Sequence, residues 1–67
     1  MDTFYCRIIT LGETLPRHAT VQCTPSQLIN TVADHLEDWE PFDVVEVRDL
    51  SDTLLITIAG DKFAFSN

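Results

Sequence analysis

The stretch that decides the fold reads Thr24-Pro25-Ser26-Gln27-Leu28-Ile29-Asn30-Thr31-Val32-Ala33-Asp34-His35-Leu36-Glu37-Asp38-Trp39-Glu40-Pro41. It opens as a helix start. Thr24 can cap, Pro25 suits the first helical position, where a missing N–H is no loss, and Gln27 can reach back as a capping-box partner. Leu28, Ile29, Val32, Leu36 and Trp39 then fall in one stripe about 100° wide, the width of a helix face that packs on a core. Asn30, Asp34, Glu37 and Asp38 take the opposite face. Pro41 disfavours α geometry in the residue before it, so the helix is expected to end near Trp39 or Glu40.

The flanking sequence supplies the surface that such a helix needs. Upstream, Thr3 to Leu11 is rich in β-branched and aromatic residues, with Phe4, Cys6 and Ile8 on one face and Tyr5, Arg7 and Ile9 on the other. After the turn-rich Gly12-Glu13-Thr14-Leu15-Pro16, the run Arg17 to Cys23 sets Ala19, Val21 and Cys23 against His18, Thr20 and Gln22. A hairpin centred between Thr14 and Leu15 places Ile8 across from Val21 and Cys6 across from Cys23. Downstream, strands are expected at Asp43 to Arg48, Thr53 to Ala59 and Lys62 to Ser66, the last two joined by a tight turn at Gly60-Asp61. The order is ββαβββ. The expected fold is one α+β domain spanning 1–67, an antiparallel sheet of about five strands with one helix packed on one face.

Length and composition narrow the function. A chain of 67 residues builds one core with a thin margin of stability. Its 45% hydrophobic and 22% charged residues are a globular balance. No apolar run reaches the roughly 20 residues of a membrane span. Met1-Asp2-Thr3-Phe4 lacks the basic start and apolar stretch of a secretory signal, which reads as cytoplasmic. The net charge of −7 opposes direct binding to nucleic acid or anionic lipid, since both require Lys and Arg to neutralise phosphates. A basic protein surface is the natural partner.

Motifs for chemistry are missing. Cys6 and Cys23 form no Cys-x-x-Cys pair and are too few for a disulfide framework, so they are expected to be reduced and buried, with a strained cross-strand disulfide or a metal site as the alternatives. A metal site would need Cys6, Cys23, His18 and His35 to converge, and the strand alternation sends His18 to the face opposite Cys23. No nucleophile has an evident base, and the two glycines, Gly12 and Gly60, form no phosphate loop. The expectation is a protein that is not an enzyme and takes no cofactor.

The distribution of charge is the informative feature. Asp34, Glu37, Asp38, Glu40, Asp43, Glu46, Asp49 and Asp52 stand against the single base Arg48, which gives −7; elsewhere Asp2, Glu13 and Asp61 balance Arg7, Arg17 and Lys62. Four of these acids crowd the helix C-terminus, where the macrodipole is already negative, and Asp34 forms like-charge pairs with Glu37 and Asp38 at helical spacing. A placement that opposes local stability points to function. Trp39 and Phe42 flank Pro41 within the acidic stretch; Trp39 reads as a lid on the sheet or as an interface anchor. Tyr5 and Arg7 could form a small patch of similar kind, and His35 is expected beside the Trp39 ring.

In size, acidity, α+β layout and lack of catalytic motifs, the whole chain resembles the small phage-encoded inhibitors of bacterial defence, the anti-CRISPR proteins, several of which mimic nucleic acid. The resemblance brings no site residues with it. It implies a stoichiometric inhibitor, acting in the host bacterial cytoplasm, that occupies the basic nucleic-acid-binding surface of a protein complex such as a CRISPR effector. The partner-binding residues read from the charge pattern are Asp34, Glu37, Asp38, Glu40, Asp43 and Glu46, with Trp39 or Phe42 giving apolar contact. A monomer is expected, with a homodimer as the other state. The alternative function is a phage or plasmid assembly module that contributes an edge strand or an apolar patch.

Overall fold

A computed structural model describes residues 1–60 and 62–65, apart from the Phe65 side chain. The elements run β1 (Asp2–Ile9), β2 (Arg17–Cys23), a 3-10 turn (Pro25–Gln27), α1 (Leu28–Trp39), β3 (Val44–Arg48), β4 (Leu54–Ala59) and β5 (Lys62–Phe65). All five strands lie in one antiparallel sheet ordered β2-β1-β3-β4-β5. This is the α+β, ββαβββ arrangement expected from the sequence. β2 and β3 both pair with β1 and so run parallel to each other. The helix is the crossover between them, which lays it over one face of the sheet.

That face is the core. Phe4, Cys6 and Ile8 of β1, Val21 and Cys23 of β2, Val45 and Val47 of β3, and Ile56 and Ile58 of β4 are buried against Leu28, Val32 and Trp39 of the helix. Leu36, Phe42 and Leu55 pack at its margin. Ile29, at the edge of the apolar stripe, stays 44% exposed. The opposite face of the sheet carries no helix.

Two local expectations need correction. β1 and β2 pair as Phe4↔Val21, Cys6↔Ala19 and Ile8↔Arg17, centred between Gly12 and Glu13, so Cys6 does not face Cys23 and Ile8 does not face Val21. The turn forms at Gly12, whose φ of +89° suits glycine, with Glu13 N donating to Thr10 O at 3.2 Å. The helix start also differs. Gln27 N donates to the Thr24 carbonyl at 3.0 Å in the 3-10 turn, and the Thr24 hydroxyl pairs with Ser26 Oγ at 3.1 Å, so no capping box forms.

At the last hairpin, Ala59 pairs with Lys62 and Gly60 takes φ +65°. Asp61 of the expected turn and Ser66 of the expected strand lie outside the described residues.

Candidate functional site

The eight acids of the charged segment divide into two sets of four. Asp34, Glu37, Asp38 and Glu40 belong to the helix and its exit, and all four are exposed. Helical geometry sets Asp34, Glu37 and Asp38 on the outer face, neighbours about 5–6 Å apart between Cβ atoms. Glu40 ends the helix: its backbone turns extended at ψ 145° while its N–H still donates to Leu36 O at 3.2 Å. Among the described residues, no Lys or Arg nitrogen comes within 4.0 Å of any of the four carboxylates. Among the described residues the one basic side chain within 4.0 Å of them is His35, whose Nδ1 lies 3.9 Å from Asp38 Oδ2.

The other four acids are engaged within the fold. Asp43 Oδ2 accepts a short hydrogen bond from Leu11 N, and the Asp43 backbone bonds Ile9 O and Gly60 N, which ties three connections together. Glu46 points to the helix-free face of the sheet, opposite the helix acids, and stands 4.0 Å from Arg7 and 3.9 Å from Arg48. Asp49 Oδ1 accepts from Ser51 N at 2.8 Å and Thr53 N at 3.0 Å, shaping the β3–β4 turn. Asp52, with φ +63°, lies 3.9 Å from Arg48. Four of the six acids read as partner-binding thus lie exposed on the helix and its exit, Asp43 at the same end is engaged by Leu11 N, and Glu46 is turned to the opposite face.

The two aromatics beside these acids sit inward. Trp39 is 9% exposed, part of the core, and stacks on His35 with centroids 5.4 Å apart and planes 12° from parallel. Phe42 is half-buried against the core and borders a hollow of about 530 Å³ with Glu40, Pro41 and Gly60. The large apolar side chains exposed at this end are Leu11 and Leu15, in the β1–β2 loop. That loop is laced to the helix exit: Thr10 Oγ1 donates to Pro41 O at 3.0 Å, and Arg17 donates to both Trp39 O and Pro41 O at 2.6 Å.

Arg17 is the residue that charge counting missed. Its guanidinium approaches from β2 and supplies the cation that the last helical turn lacks, bonding carbonyls at the negative end of the dipole. Its phase with Ala19, Val21 and Cys23 places it on the core side of the sheet, the one signal of this role in the sequence.

Cys6 and Cys23 are free and buried. Cys23 pairs with Asp2, four positions along β2 from the partner of Cys6, roughly 13 Å at strand rise, so a disulfide between them is out of reach. Burial, and to a smaller extent the charge of Cys23, pushes the Cys6 thiol up to about 11. Among the described residues no group of three or more His, Cys, Asp or Glu side chains is placed to hold a metal ion, and no helix is long and apolar enough to cross a membrane. Comparison of the chain with protein-family models, with curated proteins and with solved structures found no match.

Proposed function

We propose that this protein is a non-enzymatic inhibitor of the anti-CRISPR kind, which presents its acidic helix face to the basic nucleic-acid-binding surface of a protein complex and blocks access of DNA or RNA. One observation carries the reading: Asp34, Glu37, Asp38 and Glu40 are exposed together without a paired Lys or Arg among the described residues. Anions at that spacing can occupy sites built for phosphates, and the charge steers association with a cationic channel. Arg17 relieves the dipole at the helix end by bonding backbone carbonyls and, among the described residues, pairs with none of the four carboxylates. The deciding experiment measures target-DNA binding by CRISPR effector complexes with and without the protein. The wild type should block it, and the triple variant Asp34→Lys, Glu37→Lys, Asp38→Lys should not. A triple variant that inhibits like the wild type removes the helix face from the contact.

A second reading is favoured by the edge of the sheet. β2 is an edge strand of seven residues with no acid, proline or glycine to discourage pairing. A phage or plasmid assembly module could add a partner strand there. Backbone pairing depends little on salt, whereas contact through the helix acids weakens steeply as salt is added. A salt titration of partner binding separates the two.

A further inference from the structure

The helix-free face of the sheet concentrates the opposite charge. Strand alternation puts Tyr5 and Arg7 of β1, His18 and Thr20 of β2, Glu46 and Arg48 of β3, and Lys62 of β5 on this side. Three of the four Lys and Arg residues of the chain thus share one surface. The register sets Tyr5 between Thr20 and Arg48, and Arg7 between His18 and Glu46. Two hollows, of about 300 and 340 Å³, adjoin there, and both are lined by Tyr5 and His18; Arg7 and Arg48 border the first and Thr20 the second.

The two guanidiniums are poorly satisfied. They share the one Glu46 carboxylate at 4.0 and 3.9 Å, too far for hydrogen bonds. Arg48 donates to Asp52 O at 3.2 Å and lies 3.9 Å from the exposed Asp52 carboxylate. Among the described residues the Arg7 guanidinium makes no hydrogen bond within the protein. Planar forks of N–H donors match phosphate oxygens bidentately. Beside them the Tyr5 residue is 48% exposed, and its ring offers a flat apolar surface for stacking.

We propose that this surface binds a nucleoside monophosphate, with the base stacked on Tyr5 against His18 and the phosphate held between Arg7 and Arg48. The net charge of −7 selects the size of the ligand. Its field repels a polyanion, while two adjacent guanidiniums that share Glu46, with the exposed Asp52 carboxylate at 3.9 Å from Arg48, still present free N–H donors to a single phosphate. The site lies on the face opposite the helix acids and stands or falls independently of the inhibitor reading.

The test is an amide NMR titration of the isotope-labelled full chain with adenosine monophosphate at low salt, with adenosine and inorganic phosphate as separate arms. The nucleotide should shift Tyr5, Arg7, His18 and Arg48 and bind at least roughly tenfold more tightly than either fragment. Arg7→Gln should weaken it by roughly tenfold, and Tyr5→Leu should reduce it to the affinity for phosphate. Glu46→Gln removes the competing carboxylate and should tighten binding, a gain that no damage to the fold would produce. Arg48 is left intact because it also holds the β3–β4 turn. Absence of shifts at millimolar nucleotide overturns the proposal, as do shifts confined to other residues, unchanged affinity in Glu46→Gln, or tighter binding of a single-stranded oligonucleotide than of the monophosphate.

Discussion

Arg17 and Cys6 show how single side chains set the stability of this fold. Arg17 joins the start of β2 to the helix exit through two 2.6 Å hydrogen bonds to carbonyls, and its buried Nε has no partner among the described residues. Hydrogen bonds from a charged donor are worth more than neutral ones, although one of these is exposed. Arg17→Ala should therefore lower unfolding stability by about 1–2 kcal/mol, read from the midpoint of urea denaturation. Arg17→Lys, which can reach one carbonyl at a time, should lose less. Cys6 makes stability depend on pH. Its thiol titrates near 9.0 in the unfolded chain and is pushed up to about 11 by burial and then by Cys23. Below pH 9 both states keep the proton and stability is unaffected. Between about 9 and 11 the unfolded thiol ionises while the folded one does not, so the unfolded state binds fewer protons and stability falls, by of order 3 kcal/mol in all. Denaturation midpoints across that range should decline more steeply in the wild type than in Cys6→Ala. Equal slopes would show that Cys6 is not the cause.

At the scale of elements, what the sequence made legible was periodicity, and what it hid was register. The strand faces follow directly from alternation: Phe4, Cys6, Ile8, Val21 and Cys23 are buried together as expected. Shifting β2 by an even number of residues keeps every side chain on its face, so alternation alone cannot choose between a hairpin centred at Thr14-Leu15 and the observed one centred at Gly12-Glu13. The choice was made by Gly12, the residue able to take φ +89° without strain. The helix was legible to within a residue at its C-terminus because Pro41 is an unambiguous stop, whereas the start hid a 3-10 turn that uses the Thr24 carbonyl in place of its hydroxyl. The same limit applied to the charges. Adjacency in sequence suggested one acidic track, but a strand alternates and a turn closes on itself, so Glu46 went to the far face and Asp49 into the β3–β4 turn. Asp49→Ala removes two acceptor bonds and should destabilise the protein by about 1 kcal/mol, measured by thermal melting. On the helix the sign reverses. Glu37→Lys relieves repulsion from Asp34 and places a cation near the negative end of the dipole, and it should raise stability by a few tenths of a kcal/mol. A destabilised Glu37→Lys would mean that the carboxylate has a structural partner.

Strand order belongs to the whole molecule and could not be read from local pattern. The arrangement β2-β1-β3-β4-β5 requires α1 to cross over β1, which brings the helix exit, the β1–β2 loop and the start of β3 to one end of the molecule and the β3–β4 turn to the other. The result is an electrically two-sided protein, with acids on the helix that pair with no Lys or Arg among the described residues and most of the cations on the bare sheet face. Salt should then act on folding and on partner binding in opposite directions. Screening weakens repulsion among Asp34, Glu37, Asp38 and Glu40, so raising ionic strength from low values should raise the melting temperature of the free protein. On the proposed inhibitor reading, the same screening removes the attraction that would steer these acids onto a cationic surface, so the rate of association with a basic effector complex should drop steeply over the same range. In the Asp34→Lys, Glu37→Lys, Asp38→Lys variant both dependences should flatten, because one set of charges produces them. If melting becomes insensitive to salt in that variant while the salt dependence of binding persists, the attraction originates elsewhere on the surface, and the helix acids affect the stability of the domain without making the contact.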